Sequence, residues 1–163
     1  MSRKYKFFDS RMPYFVSFAI VNWIDLFTRE QYFKVVTDSL DFCIGNKGLI
    51  VNAWCIMSNH LHLIIRSETD LLEDIVRDMK KFTSKELIET IKSSSDESRR
   101  KWLLRMFKRA GLENKRNQMY QVWQQHNQPI ELNTNKKIDQ RLNYLHMNPV
   151  KAGFVEKPYY WKH

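Results

Sequence analysis

Two histidines separated by one leucine, His60 and His62, are the residues of this sequence whose spacing suggests shared chemistry. Alternate side chains of an extended strand point to the same face, so the two imidazoles would lie together, about 6 to 7 Å apart. Imidazoles at that spacing can share one divalent cation. A polar strand face that carries two histidines without a metal is the competing interpretation, and only a third ligand elsewhere in the chain would favour the metal.

The composition predicts one folded domain over residues 1–163 and a polyanionic partner. Of the 163 residues 43% are hydrophobic and 13% aromatic, which is typical of a folded chain with a sizeable core. The net charge of +9 favours nucleic acid as the partner, although a basic protein without such a partner could have the same charge.

The cysteines and the apolar runs indicate a cytoplasmic protein with no membrane partner. Cys43 and Cys55 are the only cysteines and lack the spacing of a zinc knuckle or a disulfide framework, so a reducing compartment is expected. No apolar run reaches membrane-spanning length. The run over 14–21 is short and continues into foldable sequence, so a buried strand explains it better than a signal peptide does.

The hydrophobic pattern predicts the order strand, helix, strand, strand, helix in the first half of the chain. The predicted segments are a strand over 14–21, a helix over 29–45 capped by Thr28, strands over 49–57 and 60–66, and a helix over 70–91. Ser58-Asn59 would turn the two middle strands into an antiparallel hairpin. This order indicates an α+β, ferredoxin-like split βαβ fold with an antiparallel sheet and helices mainly on one face.

A basic helical insertion over about 93–118 follows these elements. Eight of the eighteen residues over 99–116 are Arg or Lys, and an apolar stripe runs through them, which predicts an amphipathic basic helix. Contact with DNA phosphates and a solvated helix face are two interpretations of nearly equal weight, and the charge of the whole chain favours DNA. The candidate DNA-binding residues are Arg99, Arg100, Lys101, Arg105, Lys108 and Arg109, together with Trp123 as a base-stacking surface.

The last third of the chain is predicted to hold two extended segments and one helix. The extended segments cover 119–124 and 128–132, and the helix covers about 136–147 after a cap at Asn133, Thr134 or Asn135. We expect Asn148-Pro149 to end it, because the residue before proline avoids the helical region. Tyr144 and Asn148 would share one face of this helix. Taken alone, such a pair is more often a half-buried core tyrosine and a C-terminal cap.

The combination of these motifs resembles the HUH single-tyrosine transposases, and in particular the REP-associated tyrosine transposases and their insertion-sequence relatives. The resemblance rests on Asn59-His60-Leu61-His62, on Val122-Trp123-Gln124, and on the run from Arg141 to Val155 that contains Tyr144-x-x-x-Asn148-Pro149-Val150-Lys151-x-Gly153. It extends from the first strand to Val155. The basic stretch from Ser93 to Lys115 is longer than the compact members need, so its role is left open.

The resemblance implies that His60, His62 and Asn148 bind a divalent metal and that Tyr144 is the catalytic nucleophile. Two imidazoles and an amide oxygen suit magnesium or manganese as the working cofactor, although affinity alone would also admit zinc or nickel. Such an ion would polarise a phosphodiester and favour ionisation of a tyrosine phenol, whose ordinary pKa is about 10. The implied activity is an endonuclease and strand transferase for DNA transposition, a form of DNA recombination, with a 5′-phosphotyrosine intermediate. Its substrate would be single-stranded DNA beside a hairpin.

Two other functions fit the same residues. One is a domesticated, catalytically silent protein that binds hairpin DNA, and the other is a relaxase or replication initiator, which usually carries further domains. Relatives include dimers, in which the tyrosine helix serves the partner's metal site, and also monomers. The sequence therefore leaves a homodimer and a monomer open, along with the DNA target.

Overall fold

An antiparallel sheet forms the centre of the molecule in a computed structural model that describes residues 6–114 and 119–163. Within those ranges the sheet has four strands in the order β2-β3-β1-β4. The strands are β1 (Tyr14–Ala19), β2 (Leu49–Ile56), β3 (His60–Ser67) and β4 (Ile130–Glu131). All three pairs of neighbours are antiparallel, which confirms the predicted fold class.

Helices cover both faces of this sheet. They are α1 (Glu30–Lys47), α2 (Leu72–Ser93), α3 (Arg100–Glu113) and α4 (Asn135–Lys151). Apolar residues of α1, α2 and α3 share one buried cluster, whereas Leu145 of α4 belongs to a second cluster. The first three helices thus lie on one face, as predicted, and α4 lies on the other. None of the helices in the described ranges has the length and apolar character needed to cross a bilayer.

Alternation along β1 decides which side chains meet which helices. Tyr14, Val16 and Phe18 are buried in the cluster formed with α1 to α3, while Phe15 is buried in the cluster formed with α4. Because successive side chains of a strand point to opposite faces, one strand supplies both clusters.

The histidine-bearing strand β3 is central, with β1 on one side and β2 on the other. His62 pairs with Ser17 of β1 and with Cys55 of β2, so these three side chains share the face covered by α4. The turn before β3 is closed by Met57, whose N–H donates to the carbonyl of His60 at 2.7 Å. The predicted two-residue hairpin turn is confirmed by this bond.

The predicted strands of the last third form only in part. Residues 119–124 make one isolated bridge, between Trp123 and Ile20, and the segment predicted over 128–132 is reduced to the two residues of β4. Gln128 has a φ of 44°, which breaks the extended path, and Pro129 has no N–H to donate to a ladder. The first strand also ends at Ala19, before the 3₁₀ turn Val21–Trp23.

Two predicted helix boundaries are wrong. The N-cap of α1 is Arg29 and not Thr28, whose hydroxyl instead accepts a hydrogen bond from Arg99 at 2.8 Å. Helix α4 begins after the expected cap Thr134 but continues through Pro149 to Lys151. A proline so close to the helix end removes little more than its own hydrogen bond, so the helix tolerates it. Asn148 is therefore a residue of the helix and not its C-cap.

A buried carboxylate, Glu97, ties α1 to the start of α3. Its side chain accepts hydrogen bonds from Arg29 Nε at 3.2 Å, Arg99 Nε at 3.1 Å and Tyr32 Oη at 3.0 Å. Burial alone would raise the pKa of Glu97, but the bonds from Arg99 and Tyr32 outweigh it and lower the pKa to about 2. The folded state thus favours the ionised form of Glu97.

We predict that this pKa makes the fold acid-sensitive. A carboxyl with a pKa of about 2 in the folded state, against 4.5 ordinarily, stabilises the fold at pH values above its ordinary pKa. That contribution, roughly 3 kcal/mol, is lost as the pH falls from about 4.5 to 2. Urea unfolding at a series of pH values measures it. Glu97→Gln should lower the free energy of unfolding at neutral pH and reduce its fall between about pH 4.5 and 2. Glu113→Gln, at an exposed ion pair, should leave both the free energy of unfolding and its pH dependence unchanged.

Candidate metal and nucleophile site

His60 and His62 lie side by side on β3, beneath helix α4. Their ring centroids are 4.7 Å apart. His62 is buried at 5% exposure and stacks on Phe15 of β1, with 5.2 Å between ring centroids. His60 is half-buried nearer the edge of the site. The predicted arrangement of the two imidazoles on one face of a strand is the one found.

Polar partners hold the Nδ1 atoms of both imidazoles. His60 Nδ1 lies 2.7 Å from Asn59 Oδ1, and His62 Nδ1 lies 2.8 Å from Ser17 Oγ. A carboxamide oxygen can only accept, so His60 carries its proton on Nδ1. With Nδ1 occupied in both rings, Nε2 is the atom that each histidine can offer to another group.

Asn148 of α4 reaches the Nε2 side of this pair. Its Nδ2 lies 3.0 Å from His62 Nε2, and the Asn148 side chain is also a hydrogen-bond partner of His60. In this orientation the amide donates to the lone pair of His62, which fixes the proton of that ring on Nδ1. Rotation of the amide by half a turn would present Oδ1 to the same place.

Both histidines are neutral at physiological pH. Burial lowers the pKa of His60, and the hydrogen bond with Asn148 opposes this shift. Burial is also the main cause for His62, where the neighbouring charges of His60 and Arg141 add to it and lower the pKa to about 3. A neutral imidazole is the form that binds a metal, so no proton has to be displaced first.

Tyr144 lies next to His62 of its own chain. Their ring centroids are 5.3 Å apart, and the tyrosine ring also makes an edge contact with Phe15 at 5.9 Å. Tyr144 is 37% exposed, so its phenol remains accessible from outside. Arg141 Cζ and Lys151 Nζ lie 6.0 and 5.9 Å from the centroid of the tyrosine ring. These two cations make the surroundings of the phenol favourable to negative charge.

The donor groups of this site fit a divalent metal ion. Two Nε2 atoms and one amide converge, and no thiolate is among them, because burial raises the pKa of the adjacent Cys55 thiol to about 11. Among the residues that the structure describes, no group of three or more His, Cys, Asp or Glu side chains is arranged so that it could hold a metal ion. The proposed third ligand is the amide of Asn148, and asparagine is not one of those four residue types.

The predicted DNA-binding residues separate into two groups. Lys101, Arg105 and Lys108 are exposed on α3, and Arg109 is exposed beside Glu113. Arg99 is bonded to Glu97, Thr28 and the carbonyl of Asp25, and Arg100 donates to the carbonyl of Ser94. The last two residues of the predicted 99–116 helix lie outside the described residues.

Trp123 does not offer the predicted base-stacking surface. The indole is only 5% exposed, packs against Phe18 and Phe27, and donates its Nε1–H to the hydroxyl of Thr83 at 2.9 Å. Its place in the core follows from the bridge to Ile20, which brings the segment against β1. An indole in this position stabilises the junction between α2 and the sheet.

Sequence reasoning missed the residues that position the histidines. Ser17 stands as a lone hydroxyl inside an apolar run, and Asn59 belongs to the predicted turn and to the histidine motif without a predicted partner of its own. A polar side chain in a buried strand needs a partner, so Ser17 could have been found as a candidate. The partner itself depends on the register between β1 and β3, which the sequence does not reveal.

Comparisons with solved structures find two transposases with this fold. A REP-associated tyrosine transposase bound to a REP hairpin superimposes with a TM-score of 0.70 at 17% identity, over 99% of this chain and 81% of that one. A candidate transposase from Deinococcus radiodurans R1 superimposes with a TM-score of 0.52 at 14% identity, over 88% of this chain and 93% of that one. No family model and no curated protein sequence matches the chain.

We predict that His62 stays uncharged over the whole mildly acidic range. Its pKa of about 3 lies below the ordinary value of 6.5, so it should gain a proton only as the pH falls toward 3. Long-range ¹H–¹⁵N spectra of EDTA-treated protein should show a neutral ring protonated on Nδ1 at every pH from 8 to about 5. Ser17→Ala should disturb this tautomer, and Ser17→Thr should preserve it. Charging of His62 near pH 6 would contradict the prediction.

Proposed function

We propose that this chain is a transposase: a metal-dependent endonuclease and strand transferase for single-stranded, hairpin-flanked DNA. The observation that carries the proposal is that Tyr144 and Asn148, on α4, meet His62, on β3, from more than eighty positions away in the sequence. A phenol, two neutral imidazoles and an amide beside two cations form a set of groups suited to phosphoryl transfer. The shared fold of two transposases gives independent support.

In the proposed reaction the phenol oxygen of Tyr144 attacks the phosphorus of a DNA phosphodiester. A lone pair of Oη forms the Oη–P bond while the electron pair of the P–O3′ bond leaves with the 3′-oxygen. The phenol loses its proton, and the released 3′-oxygen gains one, through solvent. The products are a 5′-phosphotyrosine and a free 3′-hydroxyl, and attack by another 3′-hydroxyl on the phosphotyrosine rejoins strands without ATP.

His60, His62 and Asn148 would hold a magnesium or manganese ion in this proposal. When bound, such an ion polarises the phosphate and offsets the charge that develops in the transition state. Ser17 and Asn59 keep both Nε2 atoms directed away from the strand by holding the Nδ1 atoms. Arg141 and Lys151, close to the ring of Tyr144, would attract the phosphate.

The exposed basic side of α3 would contact the DNA backbone. Lys101, Arg105 and Lys108 follow one another at helical spacing, opposite the buried residues Leu103 and Phe107. Their charges would neutralise phosphates without reading the base sequence. Because Arg99 and Arg100 are bonded within the protein, we assign the phosphate contacts to the exposed residues only.

We predict a covalent adduct between the protein and DNA that depends on Tyr144. The wild-type protein, incubated with manganese and a panel of hairpins bearing single-stranded flanks, should shift labelled DNA on a denaturing gel. Tyr144→Phe should abolish the shift because it removes the nucleophilic oxygen. Tyr159→Phe, at an exposed tyrosine of the C-terminal segment, is the matched control and should retain it. DNA binding without any adduct, unaffected by EDTA, would favour the catalytically silent hairpin-binding protein.

We also predict that the protein binds Mn²⁺ through the imidazole pair and the amide. Isothermal titration should detect binding to the wild-type protein, with affinity lower by at least about tenfold in His62→Ala and in Asn148→Ala. Asn148→Asp keeps an oxygen ligand and should bind at least as tightly as the wild type. His126→Ala, at an exposed loop histidine, serves as the control. Equal affinity of all four variants would show that the ion lies elsewhere.

A further inference from the structure

We propose that the indole of Trp23 stacks on an unpaired nucleobase of the DNA strand bound across His60 and His62. This inference rests on the proposed function and names a contact that the strand makes beside the site. The ligand class is a purine or pyrimidine of single-stranded DNA, because a base inside a duplex has both of its faces already covered.

Trp23 is exposed next to the histidine pair. Its side chain is 58% exposed, and its ring meets the ring of His60 edge to face with 5.8 Å between centroids. Trp23, His60, His62 and Tyr144 thus form a row in which neighbouring rings lie within 6 Å of one another. A strand whose phosphate lies at the imidazoles has an adjacent base within reach of the indole.

The backbone at Trp23 adopts a conformation that bulky residues rarely take. Asn22 has a φ of 56° and Trp23 a φ of 53°, so two consecutive residues other than glycine lie in the left-handed region. Such strain persists where the surrounding structure imposes it, and it concentrates at functional sites. Here it turns a large aromatic ring out of the protein, where the ring contributes little burial to offset the strain.

One side chain, Asn59, fixes the position of Trp23 relative to His60. Its Nδ2 lies 3.3 Å from the carbonyl of Trp23 and 3.2 Å from Asp25 Oδ1, and its Oδ1 accepts from His60 Nδ1 at 2.7 Å. The same amide therefore holds both the turn that presents the indole and the imidazole beside it. A base on Trp23 and a phosphate at His60 would be bound in a defined relation to each other.

The space beside the indole accommodates a nucleobase. A groove of about 400 Å³ runs from the Val21–Trp23 turn to the end of α3, with Gln121 and Gln124 on its other side. Among the described residues that line this groove, the one charged residue, Glu113, is paired with Arg109, and the net charge of +9 of the whole chain suits an anionic strand nearby. An indole face open to such a groove is a base-stacking platform that tolerates any base.

Abasic scanning tests the contact in a form of the protein that cannot cleave. All variants carry Tyr144→Phe, in EDTA, and bind fluorescein-labelled DNA hairpins with a single-stranded oligo(dT) flank on the 5′ or the 3′ side. Anisotropy gives the affinity for the intact flank and for flanks in which each thymidine in turn is replaced by an abasic nucleotide. We expect Trp23→Ala to bind the intact flank about tenfold more weakly than the parent protein. The one abasic position that weakens DNA binding by the parent protein should have no effect on DNA binding by Trp23→Ala.

Two further variants separate stacking from folding. Trp23→Gly relieves the left-handed strain, so it should unfold at nearly the parent temperature and still lose the stacking contact. Trp54→Ala removes an indole that is 41% exposed on β2 and should bind like the parent protein. An unchanged affinity and an unchanged abasic profile in Trp23→Ala would overturn the inference.

The same measurements distinguish this inference from the proposed function. If the protein with Tyr144 intact forms its DNA adduct while Trp23→Ala leaves DNA binding unchanged, only the stacking contact is wrong. If the parent protein binds none of the hairpins, both proposals fail. Titration of Trp23→Ala with Mn²⁺ should give the wild-type affinity, because a ring that only positioned His60 would weaken metal binding when removed.

Discussion

The position of β3 between two partner strands is the constraint on which the candidate site depends. Backbone pairing with β1 and β2 fixes its register from both sides, so His62 stands opposite Ser17 and Cys55. A slip of one residue would turn both imidazoles into the apolar cluster beneath α1 and α2 and bring Leu61 and Leu63 to the surface of the site. The hydrophobic effect that buries those two leucines therefore also directs the histidines toward α4.

The candidate site has a neutral strand face, which carries the two histidines, and positive charges at its edge, near Tyr144. Burial keeps both imidazoles uncharged, and Phe15 stacks on one of them, whereas Arg141 and Lys151 place their charges near Tyr144. A fixed charge at the imidazoles would repel a metal ion, and a neutral rim would not attract DNA. The sheet supplies the neutral surroundings of the histidines, and α4 supplies the positive charges near Tyr144. A substitution in one of these elements can therefore change one environment without changing the other.

The fold and the placement of His60 and His62 on one strand face were within reach of sequence reasoning, because they rest on local patterns. The metal and nucleophile roles, including those of Tyr144 and Asn148, were implied only by the resemblance of the combined motifs. Alternation in β1 and β3, and the spacing of Tyr144 and Asn148 on one helix face, are short-range properties. Trp123 and Ser17 were misjudged or missed because their surroundings come from distant segments, α2 for the tryptophan and β3 for the serine. The end of α4 was missed because a rule for the residue before proline is a preference, which packing of Pro149 and Leu145 overrides.

The thiol opposite His62 has a consequence for the chemical durability of the site. Cys55 is buried, and its pKa of about 11 leaves almost none of it as thiolate at neutral pH. The thiolate is the form of cysteine that attacks peroxides and disulfides, so this sulfur reacts slowly with them although it is paired with His62 on the neighbouring strand. Its nearest sulfur partner, Met57, is buried as well, with the two atoms 3.8 Å apart. The floor of the candidate site therefore holds a cysteine with almost no thiolate available for oxidation.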